Sequence, residues 1–152
     1  MLNYQKAQLS DIANMQELVN PEIESGIILN RTNDEVATNI RSYTLCFYDG
    51  ELIGFCAMHI HTEYLGEIRS LVVKQSARGK KIGEKLVERC LDEAKDLKLQ
   101  KVLCLTYKQL FFENLGFVEI SKDSIPEHKI WADCIKCKHF PVCNEVSLIK
   151  TL

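Results

Sequence analysis

Some segments of the chain are short, apolar runs, and others carry apolar residues at helical spacing; these two patterns predict its strands and helices. The segments 68–73 (IRSLVV) and 101–106 (KVLCLT) are short, apolar and rich in β-branched residues, as buried strands are. Between residues 82 and 97, apolar side chains recur at helical spacing and predict one buried stripe, made up of Ile82, Leu86, Val87, Cys90, Leu91, Ala94 and Leu97. A strand, a basic loop, an amphipathic helix and a second strand therefore form the central unit of the chain.

Capping and turn residues divide the rest of the chain into elements. Ser10 and Thr32 are candidate helix N-caps, and Glu35 completes a capping box with Thr32. Pro21 is expected just beyond the end of the first helix, and Asp49-Gly50 is a strong signal for a type I′ hairpin turn. The predicted strands are 2–7, 42–48, 52–60, 68–73, 101–106, 117–120 and 145–152; the predicted helices are 11–19, a short one after Thr32, 82–97 and 109–115.

Composition limits the class of protein. A chain of 152 residues with 46% hydrophobic and 26% charged residues suits one globular domain. The formal net charge of −2 gives no support for general nucleic-acid binding. No segment approaches the roughly 18 apolar residues of a membrane span, and the N-terminal sequence has no signal-peptide core. We therefore expect a cytoplasmic protein without membrane or nucleic-acid partners.

The loop between the central strand and helix has the chemistry of a phosphate site. Residues 78–83 (RGKKIG) place cations and glycines at a helix N-terminus, whose free N–H groups and positive dipole attract anions. The alternative is an ordinary solvated basic loop, because glycine-rich loops are weak signals alone.

The loop and its flanks resemble the signature of the GNAT acyl-CoA N-acyltransferases, Gln/Arg-x-x-Gly-x-Gly/Ala after a hydrophobic strand. Arg78, Ile82 and Gly83 match this pattern, and Lys81 stands where the family usually has its middle glycine. The segment FFENLGF resembles the second motif of the family. Many members carry tyrosine at the position of Phe112, where it protonates the departing thiolate. Phenylalanine has no such proton, and Tyr107 is the nearest substitute in sequence.

This resemblance implies the GNAT fold, with acetyl-CoA as co-substrate. The fold is an α/β (α+β) domain, here residues 1–152, whose mixed and mostly antiparallel sheet has splayed fourth and fifth strands and about four flanking helices. It implies that the main chain of strand four pairs with the pantetheine arm and that a backbone N–H holds the developing oxyanion. The implied coenzyme A residues are Leu71, Val72, Val73, Arg78, Gly79, Lys80, Lys81, Ile82, Gly83, Glu84 and Phe112.

Charged residues on the fourth strand are candidates for acceptor chemistry. Glu67 aligns with the glutamate that is the general base in the lysine-acetylating branch of the family. Arg69 projects from the same strand face, and with Arg31 it is a candidate to bind substrate carboxylates. The alternative is a Glu67–Arg69 surface pair without catalytic meaning. His59 and His61 also share a strand face, either as metal or substrate ligands or as residues of a half-exposed strand.

The seven cysteines fall into two groups. Four of them, Cys46, Cys56, Cys90 and Cys104, lie in apolar patterns and are expected to be core residues. The others lie in a polar insertion at about 121–144, where Cys134, Cys137 and Cys143, with His139 or His128, are tentative ligands for a structural zinc. The alternative is that these thiols pack on a folded loop.

The whole chain resembles the short, stand-alone bacterial N-acetylglutamate synthases within the GNAT family. This implies transfer of acetyl from acetyl-CoA to the α-amine of L-glutamate, the first step of arginine biosynthesis, and leaves a homodimer possible. Two alternatives stay open: the same chemistry on another amine, or a catalytically weak GNAT-fold sensor or interaction module. Lys81 and Phe112 are the departures that keep the last one open.

Overall fold

The computed structural model describes residues 1–121 and 145–152. In these residues, seven strands and four α-helices follow one another in the order predicted from the sequence. The strands are β1 (Leu2–Lys6), β2 (Tyr43–Tyr48), β3 (Glu51–Ile60), β4 (Leu65–Val73), β5 (Lys101–Thr106), β6 (Val118–Ile120) and β7 (Val146–Thr151). The helices are α1 (Ile12–Glu24), α2 (Asn33–Thr38), α3 (Ile82–Asp96) and α4 (Gln109–Glu113), and 3-10 turns cover Leu9–Asp11, Ile40–Ser42 and Gln75–Ala77.

The described strands form one mixed sheet in the order β1-β2-β3-β4-β5-β7-β6. Only β4 and β5 pair in parallel; every other neighbouring pair is antiparallel. The predicted hairpin joins β2 to β3, and Asp49 and Gly50 both have positive φ, as a type I′ turn requires. The expectation of a mixed, mostly antiparallel sheet with flanking helices is confirmed.

Apolar side chains cover both faces of the sheet. One face packs on α1 and α2, whose buried Met15, Val19 and Val36 meet Phe55 on β3. The other face packs on α3 and α4, with the predicted stripe of α3 buried from Ile82 to Ala94. Helices cover both faces of the sheet, so successive side chains of a strand enter one core and then the other. A shift of one residue would exchange the two sets, and this fixes the register.

The first helix differs from its prediction at both ends. Ser10 is not its cap, because a 3-10 turn precedes α1 and the Gln8 backbone N–H donates to the Asp11 carboxylate at 2.8 Å. Pro21 does not end the helix either, since α1 continues to Glu24. Ile23 packs against the core between the sheet and helices α1 and α2. This contact favours continuing the helix, although proline tends to interrupt one.

The third helix ends one residue earlier than its apolar stripe predicts. Leu97 was expected to be buried, but it is 52% exposed at the C-cap. Lys98 adopts a left-handed φ of 68°, and the Leu99 N–H donates to the Ala94 carbonyl at 3.0 Å. This is the Schellman pattern, and it places Leu99 in the core instead of Leu97.

The four cysteines of the apolar patterns are buried free thiols, as predicted. Burial raises the pKa of the Cys46 thiol. Hydrogen bonding to Cys90, and then burial, hold the pKa of Cys56 well above its usual value. The raised pKa values of Cys46 and Cys56 disfavour the thiolate, which is the nucleophilic form, so these two thiols act as core residues.

The cysteine insertion lies outside the described residues. Cys134, Cys137, His139 and Cys143, proposed as zinc ligands, all fall within 122–144, as does His128. Within residues 1–121 and 145–152 there is no cluster of three or more His, Cys, Asp or Glu side chains that could hold a metal ion. Over the same ranges, no helix combines the length and apolar character needed to cross a membrane.

A bulge in β4 opens the sheet between β4 and β5. Their parallel pairing runs only as far as Ile68 and Cys104, although both strands continue. On the other side of β4, Cys56 of β3 lies opposite two residues, Ser70 and Leu71. Ser70 has a φ of 59°, in the left-handed region that non-glycine residues rarely occupy. The extra residue bends β4, and the strands part beyond it.

Substitutions at Ser70 should change stability according to how easily the new residue adopts a positive φ. A β-branched side chain is strongly disfavoured there, so Ser70→Val should lower the free energy of unfolding by about 1–2 kcal/mol. Ser70→Gly is the matched control and should unfold within about 0.5 kcal/mol of wild type, because glycine reaches this φ without strain. Urea denaturation measures both; equal midpoints for the two variants would contradict this account of the bulge.

Candidate active site

The parted strands open into a cavity of about 760 Å³. Its walls come from β4, the end of β5, the start of α3 and the loop between α1 and α2. Every residue predicted from the sequence as catalytic, substrate-binding or coenzyme A-binding lines it, except Lys80: these are Arg31, Glu67, Arg69, Leu71, Val72, Val73, Arg78, Gly79, Lys81, Ile82, Gly83, Glu84, Tyr107 and Phe112. The fold thus brings these side chains to one place, while their individual roles remain predictions.

The helix end of the cavity carries the basic loop. Lys81 is the N-cap of α3 and has a φ of 62°, so the position where glycine is usual in the family indeed adopts a left-handed conformation. Lysine holds it at a cost in strain. The N–H groups of Ile82, Gly83 and Glu84 form the first turn, which has no acceptors within the helix. This end of the cavity can therefore bind an anion.

Arg78 is held by other parts of the protein. Its Nε donates to the Val73 carbonyl at 3.1 Å, and its Nη2 donates to Glu22 on α1 at 2.9 Å. Arg78 thus ties the end of β4 to α1 beside the cavity. The sequence did not indicate this role, because Glu22 lies 56 residues away.

Aromatic residues of α4 line the cavity near the start of α3. Phe112 is 3% exposed and packs edge-on against Phe111 and Phe117. Its position lines the cavity, so the departure from tyrosine removes a proton donor from the wall itself. Tyr107 follows the end of β5, lines the cavity and is 40% exposed.

Glu67 is a buried carboxylate that faces the cavity. Its residue is 1% exposed, and its Oε1 lies 2.7 Å from Nε2 of His61. Nη1 of Arg69 lies 3.9 Å from the same oxygen, too far for a hydrogen bond. Arg69 is itself largely buried, so the Glu67–Arg69 pair is not an exposed surface pair.

The two histidines have different environments. His59 is opposite Glu67 in the β3–β4 register and is buried edge-on against Tyr43. His61 lies just beyond β3, and its N–H donates to the Leu65 carbonyl at 2.9 Å. The sequence placed both on one face but did not identify Glu67 as the partner of His61; the hairpin register could have indicated it.

Arg31 is fixed by the start of α2. The predicted capping box is present, with Thr32 Oγ1 accepting from the Glu35 N–H and Glu35 Oε1 accepting from the Thr32 N–H, both at 3.1 Å. The Gln16 side-chain amide on α1 donates to the Arg31 carbonyl at 2.8 Å. These bonds orient the backbone of Arg31, which lines the same cavity as Glu67 and Arg69 of β4.

Comparison with known proteins decides the family. The sequence profile of the acetyltransferase (GNAT) family matches residues 9–117. An uncharacterized N-acetyltransferase of Chlorobaculum tepidum is 35% identical over 146 residues, covering 96% of this chain and 94% of its relative. The chain belongs to the GNAT acetyltransferase family.

Solved GNAT structures share the fold over the full chain. N-acetylglutamate synthase of Neisseria gonorrhoeae, complexed with coenzyme A and N-acetyl-glutamate, superposes with a TM-score of 0.89 at 25% identity over all of this chain and 35% of the synthase. A Mycobacterium tuberculosis protein in complex with coenzyme A gives a TM-score of 0.84 at 24% identity, with 99% of both chains covered.

The amino-acid acetyltransferase of Escherichia coli is 29% identical over 126 residues. This match covers 82% of the present chain but only 28% of the E. coli enzyme. The chain therefore spans little more than a quarter of the length of this relative.

This GNAT protein is an acetyl-CoA-dependent N-acetyltransferase. The residues of its cavity fit coenzyme A: unpaired first-turn amides and a left-handed N-cap suit the diphosphate, and β4 beyond Ile68 has a main-chain edge that β5 does not pair with. The co-substrate supplies the acetyl thioester, and these backbone groups would bind and orient it.

Gly83 gives a direct test of the diphosphate site. A Cβ at this position would lie 3.4 Å from Phe111 Cζ, which is close to ordinary contact. Gly83→Ala should therefore fold and bind acetyl-CoA nearly as wild type. Gly83→Asp adds a carboxylate beside the first-turn amides, and acetyl-CoA affinity should fall roughly tenfold or more, about 1.4 kcal/mol. Calorimetry on both folded variants measures this; equal affinities would place the diphosphate elsewhere.

Proposed function

We propose that this protein transfers acetyl from acetyl-CoA to the α-amine of L-glutamate, the entry reaction of arginine biosynthesis. One observation carries the proposal: a buried carboxylate, Glu67, and two arginines from separate elements, Arg69 and Arg31, line the same cavity. A carboxylate suits deprotonation of an amine, and two guanidiniums suit a substrate with two carboxylates.

Arg69 is the first carboxylate-binding residue in this proposal. It comes two residues after Glu67 on β4, so both project from one strand face. A guanidinium has five N–H donors in a planar fork, enough to bind a substrate carboxylate besides its protein partners. Its largely buried side chain strengthens such a bond relative to one at the surface.

Arg31 is the second carboxylate-binding residue. It lies on the α1–α2 loop, and the capping box and Gln16 fix its backbone. A carboxylate bound there and another bound at Arg69 would be held from two walls of the cavity. This arrangement would position one amine near Glu67 and disfavour a cationic acceptor.

Glu67 is the proposed general base. An amino acid reaches the site mainly as an ammonium ion, which must lose a proton before it can attack the thioester. Main-chain N–H groups near Leu71 to Val73 are proposed to stabilise the oxyanion that follows. Tyr107 is proposed as the proton donor to the leaving thiolate, because it lies on the cavity wall and Phe112 has no proton to give.

Related proteins support the acceptor. The Neisseria synthase is complexed with N-acetyl-glutamate as well as coenzyme A, and the relative in E. coli is an amino-acid acetyltransferase. Because this chain covers 35% of the synthase and 28% of the E. coli enzyme, the acceptor specificity of this protein needs its own test.

Acceptor choice tests the two arginines. L-glutamate should be acetylated in preference to L-glutamine and L-lysine, since a buried guanidinium left without its carboxylate costs binding energy. Arg69→Ala should raise the KM for glutamate much more than that for acetyl-CoA, and Arg69→Lys should restore it only in part. Thiol release at saturating acetyl-CoA measures these values.

The exposed Arg41, which is outside the cavity, provides the matched control. Arg41→Ala should leave both KM values unchanged. Faster acetylation of lysine or a polyamine than of glutamate at equal concentration would replace the glutamate proposal with another amine. No thiol release with any acceptor would support a module with little catalytic activity.

Removing the base should slow the chemical step. Glu67→Gln should lower kcat by about two to four orders of magnitude, the usual contribution of a general base. The deficit should shrink at high pH, where more of the amine is already neutral. The control is Glu63→Gln, an exposed carboxylate in the β3–β4 turn. Near-wild-type turnover of Glu67→Gln at neutral pH would show that another group takes the proton.

A further inference from the structure

One oxygen of the Glu67 carboxylate is hydrogen-bonded to His61, which does not line the cavity. Nε2 of His61 lies 2.7 Å from Oε1 of Glu67, and the two side chains are 8% and 2% exposed. Glu67 lines the cavity, whereas His61 is absent from its lining. His61 therefore contacts the carboxylate without lining the cavity.

The hairpin register produces this contact. The N–H of His61 donates to the carbonyl of Leu65, and Glu67 comes two residues later on β4. His61 and Glu67 are thus diagonal neighbours on one face of the β3–β4 pair, within reach of long side chains. The backbone of both residues is held by the sheet or its turn, so the contact has little freedom to change.

The chemistry of the pair fixes the direction of the bond. A carboxylate that acts as a base is ionised and only accepts hydrogen bonds, so in the proposed role of Glu67 the donor is Nε2 of His61. A charge-assisted bond of this length is among the stronger kinds in proteins. It also supplies a partner for a carboxylate that would be costly to bury alone.

We propose that His61 is a positioning residue for the base: its hydrogen bond to Oε1 orients the carboxylate of Glu67 that takes the proton from the acceptor ammonium. This inference rests on the proposed role of Glu67. It adds a residue from the β3–β4 turn whose side chain touches neither substrate. Loss of the His61 hydrogen bond would remove one contact that fixes the direction of the carboxylate.

The proton transfers balance in the following way. One ammonium N–H bond breaks, its proton goes to the carboxylate of Glu67, and its electron pair forms the new C–N bond to the thioester carbonyl. The carbonyl π pair moves to oxygen, then returns and expels the sulfur with the C–S electron pair. A second proton leaves the nitrogen and ends on that sulfur as the thiol. The proton on Glu67 is released to solvent before the next turnover.

Substitutions at His61 test the hydrogen bond separately from the shape of the ring. His61→Gln keeps an N–H donor at about the reach of Nε2, whereas His61→Leu removes it. We expect kcat to fall roughly 10- to 100-fold in His61→Leu, part of what a positioned base contributes, and to recover substantially in His61→Gln. KM for acetyl-CoA should stay unchanged in both, and Glu63→Gln again serves as the control.

A double-mutant cycle combines His61→Leu with Glu67→Gln, and kcat is measured with the acceptor that the wild-type protein prefers. In a Glu67→Gln background, His61→Leu should have little further effect, because the base it positions is gone. A folded His61→Leu protein with wild-type kcat would overturn the inference while leaving the acceptor and base proposals intact. Equal loss in the Leu and Gln variants, or an undiminished loss in the Glu67→Gln background, would also overturn it.

The base proposal fails in a different way. Retained turnover in Glu67→Gln alone would remove the base, and with it the role of His61, without bearing on which amine is the acceptor. A change of preferred acceptor in the amino-acid panel would overturn glutamate specificity but would leave the His61 comparison as it stands.

Discussion

The parting of β4 from β5 is the constraint on which the rest of this structure depends. Two parallel strands normally continue to pair as long as both are extended, and here they stop at Ile68 and Cys104. The bulge at Ser70 takes up an extra residue opposite β3 and bends β4. The unpaired edges would be unfavourable in a closed core, since backbone polar groups need partners. In this protein they border a cavity that a substrate can fill.

The buried charges of the cavity depend on the same opening. Glu67 comes just before the last paired residue of β4, and Arg69 comes just after it, so both lie where the sheet begins to split. An ion buried in either helix-covered core would be costly to desolvate. At the split, each carboxylate or guanidinium has protein partners on one side and the cavity on the other. The catalytic proposal and the fold are therefore linked through one strand.

Much of the fold could be predicted because hydrophobic period and turn chemistry act locally. The order of elements, the Thr32 capping box and the helical stripe of α3 follow from residues within a few positions of each other. The errors had two causes: packing of Ile23 carried α1 past Pro21, and the left-handed Lys98 ended α3 so that Leu99 took the place of Leu97 in the core. The bulge had no glycine to indicate it, because a serine occupies the left-handed position.

The site could be predicted as a set of residues more readily than as a set of contacts. A family motif indicates which residues line a cavity, but a hydrogen bond depends on strand register and side-chain direction. The Arg78–Glu22 pair links residues 56 positions apart and does not appear as a spacing in the sequence, whereas the His61–Glu67 bond could be inferred only from the register of the β3–β4 hairpin. Residues 122–144 are outside the described structure, and the zinc hypothesis remains a prediction for them.

The Arg78–Glu22 pair has a consequence for how salt affects binding of the co-substrate. Around the basic loop, Arg78, Lys80 and Lys81 are accompanied by the carboxylates of Glu22 and Glu84, and the whole chain carries a formal charge of −2. Long-range attraction of a polyanion is therefore small, and screening has little to remove. A diphosphate bound at the first turn of α3, as predicted, would be held mainly by short hydrogen bonds from backbone amides, and its affinity should then change only slightly with ionic strength.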